Sequence, residues 1–181
     1  MNLFSKFFIA LKATRQLGLK QVGAYALYQF GLWTGHYRRV TRGASPAPCG
    51  EMKAVMPMPG REEILNVLGE EGKATLLAEV DEITGGKARL FGGDPVPLQL
   101  SFPELLEHWT AYETGRVPLP GGGSQPVDVK FLWEPARFGW AFALGRAYHL
   151  TGDDKYAAAF WQYFETFTSA NPPYLGPHWM S

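Results

Sequence analysis

One cysteine, Cys49, stands in the whole chain, so an internal disulfide is excluded, and its Ser-Pro-Ala-Pro-Cys-Gly setting reads as a loop with no histidine beside it to make a nucleophile. No apolar run approaches the roughly 18 residues that a membrane-spanning helix needs. Net charge is also missing, because 17 basic side chains balance 17 acidic ones. Acid is wholly absent from residues 1–50, which hold Lys6, Lys12, Arg15, Lys20, Arg38, Arg39 and Arg42. The other 131 residues therefore carry a net charge of minus seven. Such an asymmetry fits an electropositive N-terminal element that meets an anionic surface, and equally a basic face that packs on the acidic remainder.

What is present in quantity is apolar and aromatic. Hydrophobic residues make up 46% and aromatics 14% of the 181 residues, enough for a real core and against disorder. At the start, Leu3, Phe4, Phe7, Phe8 and Leu11 fall at helical spacing with Lys6 and Lys12 off the stripe, which predicts a basic amphipathic helix. Its uninterrupted apolar stretch, Phe7 to Leu11, is shorter than the roughly 7 to 15 residues of a secretory core, and no small-x-small cleavage site follows. The helix either lies on a membrane surface or packs on the rest of the protein.

Residues 20–39 continue the helical tendency, with Gly31 and Gly35 marking its expected end. From Arg42 to Gly60 proline, glycine and methionine predict a connector, and Ile64, Leu65 and Leu68 predict a short helix over 61–69. Residues 73–84 are ambiguous between helix and strand. In residues 85–109, alternation at Ala88 and Leu90, then at Val96, Leu98 and Leu100, predicts two extended pieces around the turn that Phe91 opens. The glycine-rich stretch 119–126 reads as a flexible break and not as a phosphate cradle, since no Gly-Lys-Ser/Thr follows.

The last third predicts two helices joined by a tight turn. Pro135 suits the first turn of a helix carrying a Phe138, Ala141, Phe142, Gly145, Tyr148 stripe. Gly152 suits its left-handed end, and Asp153 caps a second helix running through Tyr156, Phe160, Tyr163, Phe164 and Phe167 and stopping before Pro172. Both helices are aromatic on more than one side, so each expects several neighbours.

Candidate chemistry is sparse. His36, His108, His149 and His178 have neither the spacing nor the cysteine partners of a zinc site, and His108 and His149 read as structural. Glu134 and Arg137, three apart, predict a structural ion pair. Trp133 either offers a flat face for stacking or fills space between helices. Asn171, His178 and Trp179 are the better candidates for a binding surface because they occupy an inter-helix loop.

Two resemblances bear on function. Leu144-Gly145, Tyr148, Gly152, Ala157 and Trp161 sit at roughly the spacing of a tetratricopeptide repeat, without a second copy in the chain. The second is broader. Asp128-x-Lys130-x-x-Trp133-Glu134-x-x-Arg137, then "LGRAYHLTGDDKYAAAF" and "ANPPYLGPHWMS", resemble the N-terminal part of the heparinase II/III family of polysaccharide lyases. Upstream, "RLFGGDPVPL", "HWTAY" and the basic N-terminal stretch are similar to family members, so the resemblance spans roughly residues 10–181.

This resemblance implies a mainly α protein that begins an (α/α) toroid of antiparallel helix pairs, preceded by a short extended hairpin segment. Charge, composition and helical pattern divide the chain into a basic amphipathic helical segment 1–42, a mixed connector 43–127 with a short helix and extended pieces, and a helix pair 128–181. The resemblance makes that pair the first of the toroid. It implies β-elimination on an anionic polysaccharide such as heparan sulfate or alginate, with no cofactor, no metal and no nucleic acid. The family's Tyr and His roles and its Asn-His pair are implied beyond residue 181, so the chain alone is expected to be inactive. The family commonly has Asn before the tryptophan where this chain has His178, which departs from the pattern. Members often work in the periplasm or outside the cell, while no clear export signal is visible here. A non-enzymatic helical-repeat scaffold is the alternative.

Overall fold

The computed structural model describes residues 12, 14–45, 57, 59–121 and 128–180. Cys49, the expected amphipathic stretch of residues 3–11 and the glycine-rich residues 122–126 lie outside them. The chain divides into two units, Met1–Ala44 and Ser45–Ser181. Among the described residues the protein is mainly helical, with one small two-stranded antiparallel sheet.

In the first unit, α1 covers Leu19–Thr34 and α2 covers His36–Val40. Gly35 ends α1 in the left-handed region, at φ 69° and ψ 21°, and its amide donates to the carbonyls of Gly31 and Leu32. Gly31 does not end the helix, contrary to expectation. It lies inside α1, where a Cβ would stand 2.7 Å from the Tyr37 ring. Glycine there lets Tyr37 fold back onto α1, with its ring 5.7 Å from that of Tyr28.

The second unit is built on three helices. The first, α3, covers Arg61–Thr84 and so resolves the ambiguity of residues 73–84 in favour of helix. The expected stop near residue 69 is a kink: Gly69, at φ 64° and ψ 179°, breaks the helical dihedrals and the helix then resumes. Leu76, Val80 and Ile83 are the buried positions of α3.

A hairpin follows, β1 Lys87–Arg89 and β2 Pro95–Pro97, with Ala88 opposite Val96. Both strands are shorter than the alternation suggests. Leu90 belongs to the 3-10 turn Leu90–Gly92, and Leu98 and Leu100 lie past β2, whose two prolines each lack an amide donor for the ladder. Leu100 instead enters the core. Arg89 ties the hairpin to α3 by donating from Nε and Nη2 to the Glu82 carboxylate at 2.8 and 2.7 Å.

Beyond it, α4 covers Trp109–Glu113 and α5 covers Val129–Ala136, the latter capped by Asp128, which accepts from the Lys130 amide at 3.0 Å. Pro135 does not start the long helix. It sits in the last turn of α5, and the next helix, α6, begins at Gly139 and runs to Thr151. Between them Phe138 adopts the left-handed region, at φ 57°, which is rare for an aromatic residue. Its ring is wedged between Trp140 and Phe167, each 5.1 Å away by ring centroid, and the Trp140 indole donates to the Pro135 carbonyl at 2.9 Å. That packing offsets the local strain.

The turn from α6 to α7, Asp154–Ala170, follows local chemistry closely. Gly152 closes α6 at φ 70°, and Asp153 accepts from the Lys155 amide at 3.0 Å. The buried stripe of α6 differs from the expected one. Trp140, Ala143, Leu144, Ala147 and Leu150 face the core, whereas Phe142 and Tyr148 are exposed. Alanines at 143 and 147 let α3 approach closely, so Val80 and Ala147 are both fully buried. Tyr163 of α7 locks the third side by donating its hydroxyl to the Ile83 carbonyl at 2.7 Å.

Candidate functional site

The segment leaving α7 is held from three directions. Asn171 caps α7, and its side-chain amide donates to the carbonyls of Leu100 and Phe167, both at 2.8 Å. The residue is buried, so it clamps the segment to the loop after the hairpin and its amide is not turned to solvent. Next, residues 174–176 run beside residues 107–109: the Tyr174 carbonyl accepts from the Trp109 amide at 3.0 Å, and the Gly176 amide donates to the Glu107 carbonyl at 2.8 Å. Finally the 3-10 turn Pro177–Trp179 is fixed by Trp133 of α5, whose indole donates to the Pro177 carbonyl at 2.8 Å. Trp133 thus spends its polar edge on the scaffold.

His178 points inward. Its ring stacks on Phe102 at 5.5 Å with an interplanar angle of 30°, and lies 5.5 Å from the Phe167 ring. Both ring nitrogens are buried and have no hydrogen-bond partner among the described residues, as is also true of Asn171 Oδ1. Burial pushes the imidazole pKa below its ordinary value, because a charged ring would lose its hydration with nothing to replace it.

Trp179 faces outward, and its ring lies 4.8 Å from that of Tyr174, tilted by 38°. Tyr174 holds the left-handed region at φ 64°, which turns the chain between Pro173 and Leu175. The result is an aromatic pair on a loop that is braced from beneath. Of the residues expected from sequence, Trp133, Asn171, His178 and Trp179 meet at this one segment, the first three as its supports. Tyr174 was not among them; the signal was a tyrosine directly after two prolines, where a turn must form.

Glu134 and Arg137 form their ion pair at 3.2 Å, with Arg137 largely exposed. Glu134 also lines a cavity of about 100 Å³ with Glu79, Arg89 and Trp140, room for about three waters. Within reach of it, the hydrogen bond to Arg89 holds the Glu82 carboxyl below its usual range and raises the guanidinium in turn. The remaining histidines are dispersed: His108 caps α4 through Thr110, and His149 Nε2 lies 3.1 Å from the Pro59 carbonyl. Among the described residues no three His, Cys, Asp or Glu side chains are placed to hold a metal ion, and no helix is long and apolar enough to cross a membrane. No family model, curated protein or solved structure matches this chain.

Proposed function

We propose that the chain contributes the opening helices of a heparinase II/III-like polysaccharide lyase, with α6 and α7 as a first antiparallel pair of an (α/α) toroid. In this reading residues 171–180 border a cleft for an anionic polysaccharide that contains uronate, such as heparan sulfate or alginate. The observation that supports it best is the braced Tyr174–Trp179 ring pair. Aromatic faces are well suited to the C–H face of a pyranose, and rings held by backbone hydrogen bonds lose little freedom on binding.

β-Elimination needs a base for the C5 proton, a group that neutralises the uronate carboxylate, and an acid for the leaving oxygen. None of these roles is assigned to a residue of this chain. Its part is to seat and orient the polymer, while catalysis belongs to Tyr, His and Asn-His positions of the family pattern that this sequence does not contain.

Affinity electrophoresis of the full chain in heparan sulfate and alginate gels tests the reading. Trp179→Ala should weaken retardation roughly 2- to 10-fold, the range expected for one aromatic contact, while Phe142→Ala leaves it unchanged. Equal retardation of both variants and parent would remove the site. Release of unsaturated uronate by this chain alone, read by ultraviolet absorbance, would overturn the assignment of catalysis elsewhere.

One observation favours a second reading, a helical-repeat scaffold without enzymatic activity. An open apolar groove of about 250 Å³ runs between α6 and α7, lined by Leu144, Gly145, Tyr148, Ala157 and Trp161. A Cβ at Gly145 would meet nothing within 4 Å, so the small residue there leaves room for something outside the pair. Further copies at a period of about 34 residues in a longer reading frame would favour the scaffold, and an Asn-His pair with a β-rich region would favour the lyase.

A further inference from the structure

Helix α1 carries an exposed apolar face among the described residues. Leu19, Leu27, Phe30 and Trp33 are 79%, 72%, 59% and 82% exposed. Their spacing of 8, 3 and 3 residues puts all four on one side of a helix with 3.6 residues per turn, and Gly23 and Ala26 fill the same side with small groups. On the opposite side Leu32 is buried, while Tyr25 is exposed there with its hydroxyl-bearing ring. An apolar stripe of this length on a helix is unusual at a free surface and marks a contact.

The charge around the stripe selects the partner. Lys12, Arg15 and Lys20 precede or border it, Arg38, Arg39 and Arg42 follow it, and all six are exposed. No acidic residue occurs anywhere in residues 1–50. A second copy of this unit would satisfy the stripe but brings the same excess of cations, since residues 1–50 contain no acid to meet them. A soluble polyanion would satisfy the cations but offers no hydrocarbon to the stripe. An anionic lipid surface takes both: side chains enter the acyl boundary while basic groups stay at the headgroups. The helix is about 24 Å long at 1.5 Å per residue, short of the ~30 Å hydrocarbon core, so it suits lying in the interface and not crossing it. Trp33, the most exposed of the four, is the residue type that favours that depth.

We infer that α1 and α2 form an interfacial anchor that lays the Leu19–Leu27–Phe30–Trp33 face on an anionic membrane surface. This inference is independent of the lyase reading and rests on the first unit alone.

Sedimentation of the full chain with phosphatidylcholine vesicles, with and without phosphatidylserine, tests it. Binding should require phosphatidylserine and weaken as salt rises. Phe30→Glu with Trp33→Glu should lower partitioning by roughly tenfold or more, and Arg38→Glu with Arg42→Glu should do the same. Since the first pair of changes bears on helix stability, Trp33→Phe provides a gentle control: binding persists, and quenching of tryptophan emission by brominated lipid falls. No binding to phosphatidylserine vesicles would overturn the proposal. So would a lipid-independent dimer, seen by light scattering and dissociated by the glutamate pair, or heparan sulfate binding with no lipid binding.

Discussion

Helices α1 and α6 look alike as strings of residues and end up in opposite circumstances. Each is apolar and aromatic on several sides, and each is closed by a glycine in the left-handed region, Gly35 and Gly152. Yet α6 buries Trp140, Ala143, Leu144, Ala147 and Leu150 under α3 and α7, while α1 leaves Leu19, Leu27, Phe30 and Trp33 open. Both helices carry small residues, so the difference lies in the neighbours that α6 has within its unit. Ala143 and Ala147 give α6 a flat side onto which the Val80 side of α3 settles, and the larger groups at Phe142 and Tyr148 are left outside. Hydrophobic content alone therefore says that a helix wants cover; α6 is covered on its alanine side because α3 lies there, whereas α1 carries Gly23 and Ala26 on its open side, so small residues permit a close approach without securing one.

The sharpest way to break the comparison is to remove the same kind of side chain from each helix. Leu144→Ala removes a side chain that is 1% exposed, at the base of the groove between α6 and α7, and should destabilise the protein by about 2–5 kcal/mol. Leu27→Ala, on the open face of α1, should stay within about 0.5 kcal/mol. Urea unfolding followed by far-ultraviolet circular dichroism measures both. Similar losses for the two would mean that α1 is covered in solution, and the contrast between the helices would fail.

How much of this was legible follows from the range of the interactions involved. The Thr151-Gly152-Asp153 turn was readable because a left-handed glycine and an aspartate cap are decided by groups within a few residues of each other. The hairpin was readable as two extended pieces, but its length was not, since Pro95 and Pro97 shorten the ladder while Leu90 and Leu100 still look like strand residues. Pro135 misled because both the start of a helix and its last turn tolerate it here. What settled the matter was Phe138, whose left-handed conformation depends on Trp140 and on Phe167, 29 residues away. The same limit held at the candidate site. That Asn171, His178 and Trp179 share a loop was readable, but the inward turn of Asn171 depends on the Leu100 carbonyl, 71 residues earlier. The α6 stripe was ambiguous for a related reason, because two stripes of apolar residues exist and only α3 chooses between them.

A milder disruption acts on the covered side at its edge. Asn171→Ala removes the donor to the Leu100 and Phe167 carbonyls in a buried position, at a cost of about 1–3 kcal/mol. It should also loosen the segment carrying Trp179, so that tryptophan emission shifts toward that of solvent-exposed indole before global unfolding. Trp179→Ala, by contrast, removes only an exposed ring and should leave the unfolding midpoint nearly in place. If Asn171→Ala unfolds like the parent with unchanged emission, the segment is held by Trp133 and the backbone pairing alone.

The gentlest way to disturb the covered side is to charge it. His178 sits between Phe102 and Phe167 with both nitrogens unpartnered, and its folded-state pKa is lowered from 6.5 by burial alone. The charged residues on the packed elements, Glu104, Glu107, Lys130, Glu134, Arg137 and Glu165, do not supply a counterion that shifts it. Because the unfolded chain takes up the proton first, stability is fully present above pH 6.5 and declines as pH falls from there toward the lowered folded-state value. His178→Phe, whose ring suits the same aromatic slot, removes that proton uptake. Urea midpoints of parent and variant measured between neutral pH and mild acid should therefore shift in the variant's favour as pH falls, the parent losing more. Parallel profiles would show that the imidazole finds solvent or a partner when protonated, and that this side of the fold is less tightly covered than its ring contacts imply.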